Sequence, residues 1–171
     1  MNDNALPPSD GRLIREQPRA FETIVYGGLI VGILDGLFAF IFYGLILGVK
    51  PIRIFQSVAS GLLGRAAFDG GVSTFMFGLL LHFVVATCIA AVYYAATLKL
   101  PILIHHPVVS GLIYGLIAYL VMNYVVIPLS RIGLRPTTLR VFVPAFIAHA
   151  FLVGLPVALV ARRSAKVHKE R

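Results

Sequence analysis

Four runs of apolar residues, Ile24–Val49, Val72–Leu98, Pro107–Leu129 and Val141–Ala161, constrain this chain more than anything else in it. Each exceeds the ~20 residues a helix needs to cross ~30 Å of hydrocarbon. A soluble domain is about 45–50% apolar and about 25% charged. Here 58% of residues are hydrophobic and 13% are charged. The excess is gathered in blocks, which excludes a soluble protein with an unusually apolar core. The expected class is therefore an all-α integral membrane protein with four transmembrane helices in one domain, residues 21–162. A polar tail, residues 1–20, precedes it, and a basic tail, residues 163–171, follows. The first run is too long for a signal h-region of about 7–15 residues and follows about 20 polar ones, so it is read as a retained helix.

Basic residues flank the runs, giving a formal net charge of +8. That placement suits topology and contact with anionic lipid rather than nucleic acid. With four spans, Arg12, Arg15, Arg19, Lys99, Arg162, Arg163, Lys166, Lys169 and Arg171 share one side. Lys50, Arg53, Arg65, Arg131, Arg135 and Arg140 share the other. The positive-inside rule then puts both termini in the cytoplasm.

Within the first loop, Pro51 suits a helix start. Ile52, Phe55, Ala59, Leu62 and Ala66 follow at helical spacing, with Arg53, Gln56, Ser60 and Arg65 elsewhere on the wheel. An interfacial or re-entrant helix over 51–68 is expected. In the spans, glycines recur at helical spacing: Gly28, Gly32 and Gly36 in the first, Gly78 in the second, Gly111 and Gly115 in the third. Small residues at such intervals let neighbouring backbones approach, so these are the candidate packing glycines. Tyr93 and Tyr94 suit a membrane interface. The single cysteine, Cys88, is read as a small buried hydrophobe.

Gly28-Leu-Ile-Val-Gly32 parallels Gly111-Leu-Ile-Tyr-Gly115, and Gly78-Leu-Leu-Leu-His82 parallels Ala145-Phe-Ile-Ala-His149. These matches fit a 2+2 parallel repeat about an axis along the membrane normal. Chance recurrence of apolar tetrapeptides is the alternative.

Three spans each carry an ionisable side chain near mid-depth: Asp35, His82 and His149. Such groups are costly in hydrocarbon and face protein or a pathway. With Asn123 as a further partner, they are expected to form one buried polar cluster. For the histidines three readings stand side by side. Each imidazole can lock helix packing by hydrogen bonding. Together with Asp35 they can carry protons or a small solute, since histidine titrates near neutrality. Or two imidazoles from separate helices can hold a haem iron or metal, although no further ligand sits at ligand spacing. No cofactor is otherwise implied. No nucleophile elbow, phosphate loop or zinc-binding helix motif supports enzyme chemistry. The leading expectation is a transporter-like or stress-related membrane protein. The alternative is an accessory subunit whose glycines pack against a partner helix or a second copy. A haem or metal protein is third.

From His82 onward, the landmarks His82, Tyr93, Pro101, Gly111, Gly115, Met122, Pro128-Leu129 and His149 lie in an order and at spacings that resemble the YagU-like family of bacterial inner-membrane proteins. The resemblance covers about half of the chain and leaves out Asp35 and the loop helix. It implies a multi-span protein of the bacterial inner membrane with the two histidines as shared features. It brings no reaction and no catalytic residues.

Overall fold

A computed structural model describes residues 17–133 and 137–169, with side chains described as far as residue 165. The expected N-terminal tail therefore falls largely outside the described residues, as does Arg135, while the backbone of the basic tail continues as helix to Lys169. Four helices are long and apolar enough to cross a membrane. They are α1 (Glu22–Ile46), α3 (Gly71–Lys99), α4 (Pro107–Leu129) and α5 (Leu139–Ala165). A shorter helix, α2 (Pro51–Leu63), lies between the first two. No strand occurs among the described residues.

Local chemistry sets the boundaries. Pro51 and Pro107 open α2 and α4, where their missing N–H groups cost nothing. Gly48, Gly64 and Gly71 take positive φ (69°, 63° and 58°), which ends α1, ends α2 and starts α3. The single helix expected over 51–68 is thus broken. Gly64 leaves α2, and residues Gly64–Phe68 continue as a tighter 3₁₀ segment.

α1 packs on α3 and on α5, α4 packs on α5, and α2 lies over the first turns of α3. Both ends of the domain meet on one face. The Arg19 backbone N–H donates to Ser164 Oγ (3.2 Å), and Thr23 Oγ1 lies 3.1 Å from the same hydroxyl. Toward this face the core is tight, built on Val31, Ala86, Ala90, Tyr93, Val153 and Val157. Tyr93 was placed at the membrane interface by its sequence position but is fully buried. Its hydroxyl donates to the Leu103 carbonyl (3.1 Å), and its ring meets Tyr114 edge-on at 4.9 Å. Cys88, expected inside, is exposed. It falls on the outward row with Val84 and Val92, four residues to either side.

The α2 face also differs from the wheel reading. Phe55 and Ala59 are buried as expected, but Gln56 and Ser60 are buried beside them. Leu62 is exposed, as is Ala66 beyond the helix. Gln56 Nε2 donates to the Gly71 carbonyl (3.0 Å) and to Thr74 Oγ1 (3.2 Å). In an apolar solvent the polar side chain turns inward to find partners and leucine turns outward.

Three spanning helices contain wide, π-type turns away from their starts: Phe40–Ile46 in α1, Met122–Val126 in α4 and His149–Gly154 in α5. The latter two end two residues before Pro128 and Pro156. A proline inside a helix has no N–H for the carbonyl four residues back and crowds it, which favours widening of the turn before it.

Candidate functional site

The expected packing glycines mark close helix approaches. A methyl group added at Gly28 or Gly32 would strike Thr87 or Phe83 of α3. At Gly111 it would meet Ala158 Cβ and the Gly154 carbonyl, both at 2.8 Å. At Gly115 it would meet Ala150 Cα at 2.7 Å, and at Gly78 it would fall on the Phe55 carbonyl of α2. Gly36 is different, since its nearest neighbours, His82 Nε2 and Phe55 Cζ, would lie at ordinary contact distances of 3.5 and 3.7 Å. Gly154 is a close-contact glycine that the spacing did not single out.

The two helix pairs share a register. Phe83 follows His82 by one residue and Thr87 by five. Ala150 and Gly154 stand at the same offsets from His149. The two histidines nevertheless do different things. His82 Nε2–H donates across to the Gly32 carbonyl of α1 (2.9 Å). A carbonyl only accepts, so this ring nitrogen carries the hydrogen. His149 Nδ1–H donates to the Ala145 carbonyl of its own helix (2.9 Å).

Above the Tyr93–Tyr114 layer the helices form a partly open cavity of about 310 Å³. Its wall includes Asp35 and Tyr43 of α1, His82 of α3, Tyr119 and Asn123 of α4, and His149 of α5. Val58 of α2, Ile127 and Thr137 line it toward the far end. Asp35 lies eleven residues before the end of α1. His82 lies eleven after the start of α3, and His149 ten after the start of α5. At 1.5 Å per residue all three sit about 15–17 Å below that end.

The expected buried, mutually bonded cluster is not what forms. Asp35 and His149 come within 4.0 Å, beyond hydrogen-bond distance, and their side chains are 23% and 18% exposed to the cavity. His82 is turned to Gly32, and Asn123 Nδ2 donates to the Tyr119 carbonyl (2.9 Å). His82, His149 and Asn123 each donate to a helix carbonyl rather than to one another or to Asp35. Nor does any group of three or more His, Cys, Asp or Glu side chains converge on a metal position among the described residues.

Tyr43 and Tyr119 are cavity residues that the sequence reading missed. Tyr43 lies eight residues after Asp35, and Tyr119 lies four before Asn123. Helical spacing therefore puts each on the face of a residue already singled out. Tyr119 meets the His149 ring edge-on at 4.9 Å and fixes one side of it.

His82 is held as a packing group, edge-on to Phe55 (5.3 Å) and Phe83 (5.6 Å) besides its bond to Gly32. His82→Phe keeps the ring contacts and removes the bond. Unfolding in mild detergent is expected to show a loss of no more than about 1 kcal/mol. A loss of several kcal/mol would mean that the imidazole is more than a packing group.

No protein-family model matches the chain, and no curated protein and no solved structure is similar enough to match it.

Proposed function

We propose that this multi-pass membrane protein handles protons or a small polar solute at its central cavity, as a transporter-like protein of a bacterial inner membrane with both termini in the cytoplasm. The resemblance to the YagU-like family is part of this proposal. The observation that carries it is the placement of Asp35. An intramembrane carboxylate is expensive and is normally paired. Here it faces a cavity, with His149 Nδ1 4.0 Å away and no hydrogen bond to any of the described residues. A protein that used Asp35 only to lock its helices would satisfy it.

The cavity is layered as a pathway requires. Toward the chain ends it gives way to the core that holds Tyr93 and Tyr114, whose hydroxyls donate to the Leu103 and Ile89 carbonyls (3.1 and 2.6 Å). Passage of a solute needs this layer to part. The wide turns Met122–Val126 and His149–Gly154 border the cavity, and such turns recur at functional positions in helices. The accessory-subunit reading is weakened because Gly28, Gly32, Gly78, Gly111 and Gly115 are all occupied by other helices of the same chain.

The test is reconstitution. Vesicles carrying the full chain are expected to dissipate an imposed pH gradient faster than protein-free vesicles, or to show pH-dependent solute uptake. Identical behaviour of loaded and empty vesicles, across a panel of cationic, neutral and anionic small solutes, would sink the proposal.

A further inference from the structure

We infer that the solute is a small organic cation, bound at Asp35 against the rings of Tyr43 and Tyr119 and exchanged for a proton. This rests on the reading of the cavity as a solute site and names the class of solute. Asp35 is the sole carboxylate in the cavity wall, and neither lysine nor arginine lines it among the described residues. The ring and amide donors of the wall are turned away, which leaves the hydroxyls of Tyr43, Tyr119 and Thr137. His82 Nε2–H is spent on the Gly32 carbonyl, His149 Nδ1–H on the Ala145 carbonyl and the Asn123 amide on the Tyr119 carbonyl. An anion entering here would meet a carboxylate and few donors. A cation meets that carboxylate and the remaining acceptor nitrogen of each neutral imidazole.

The apolar part of the wall fits the same class. Phe38, Tyr43 and Tyr119 present aromatic rings, and ring faces attract ammonium groups most strongly when water is excluded. A volume of about 310 Å³ sits at the low end for small-molecule sites, which are about 300–1,000 Å³. An ammonium ion bearing a few carbon atoms matches this space.

The proton side follows from the geometry around Asp35. Facing it are His149 from α5, His82 from α3, Tyr119 and Asn123 from α4 and Tyr43 from α1, while α2 contributes only Val58. The Asp35 carboxylate and the His149 ring lie 4.0 Å apart, so a proton taken up by this pair and an arriving cation compete for the same place. An arriving cation takes over the carboxylate and the proton leaves to water, while the Nδ1–H bond of His149 to Ala145 stays in place. One positive charge arrives and one leaves, so cation and proton compete and cation binding weakens as pH falls.

Three molecules of one shape test this: choline, the neutral 3,3-dimethylbutan-1-ol and the anion 3,3-dimethylbutanoate. Each is titrated calorimetrically into the full chain in nanodiscs. Choline is expected to bind at least tenfold tighter than the other two at pH 8 and at least tenfold more weakly at pH 5.5. Asp35→Asn is expected to lose at least tenfold in choline affinity, and Asp35→Glu to keep most of it. The pH series on the unaltered chain needs no variant to fold. If the alcohol or the anion binds as well as choline, or choline binding ignores both pH and Asp35→Asn, the cation class is wrong while the cavity remains a solute site. Failure of all three to bind, with proton flux still present in vesicles, overturns the cation and leaves proton handling. Failure to bind together with absence of flux overturns both.

Discussion

Replacing Gly154 by alanine is expected to cost about 3 kcal/mol, the upper part of the range for overpacked sites. The added methyl would fall on the Gly111 carbonyl and on the backbone of Gly115. None of those atoms is the end of a flexible side chain, so relief requires α4 and α5 to move apart. That seam also carries Gly111 and Gly115, and opening it at one point loosens contacts along its length. Gly36→Ala is the matched control. Its nearest neighbours would be side-chain atoms at 3.5 and 3.7 Å, and alanine is the better helix former. Thermal unfolding in mild detergent is expected to separate the two variants clearly, with Gly36→Ala within about 0.5 kcal/mol of the unaltered chain. Equal losses at both positions would contradict the seam.

At Asp35 stability and activity are expected to move in opposite directions. Asp35→Asn is expected to reduce flux in vesicles to that of protein-free ones, because it removes the charge that the proposed site is built around. Asp35→Leu is expected to gain up to about 2 kcal/mol against unfolding, somewhat less than the ~2.5–3.5 kcal/mol cost of an aspartate at a helix centre. The gain is partial because the carboxylate faces a cavity rather than lipid. A destabilised Asp35→Leu would show that the carboxylate holds the bundle together, and the site would lose its main support. A natural chain that keeps a costly group at a position where leucine is better tolerated is trading stability for use.

Much of the architecture was legible in the sequence because hydrocarbon imposes one simple rule on length and polarity. The four spans follow from that rule, with ends shifted by a few residues where Gly48 or Gly71 adopts positive φ. Positions of close approach at Gly28, Gly32, Gly111 and Gly115 were visible because a missing side chain at helical spacing has few other uses. Other features depend on what lies across the gap, which spacing does not report. Gln56 and Ser60 were set apart from the apolar face of α2, yet both are buried because neighbouring carbonyls and the Thr74 hydroxyl accept from them. Tyr93 is a core residue because Leu103 supplies a carbonyl for its hydroxyl. Asp35, His82 and His149 share a depth, as their positions in the spans required. Depth does not fix rotation or partner, and backbone carbonyls took the donors that would have tied the three together. Tyr119 was concealed by being one aromatic residue among many.

The wide turns of α1, α4 and α5 bear on how such a chain can change over time. A turn that closes on the fifth residue rather than the fourth holds one residue more than the surrounding helix needs. Deleting a residue elsewhere in a membrane helix rotates everything beyond it to a new face. At Phe40–Ile46, Met122–Val126 and His149–Gly154 the spare residue can absorb such a loss. In α1 and α4 these are therefore the points where the cavity wall can lose a residue while the glycine contacts before them keep their alignment, whereas in α5 the wide turn itself carries Gly154 of the seam.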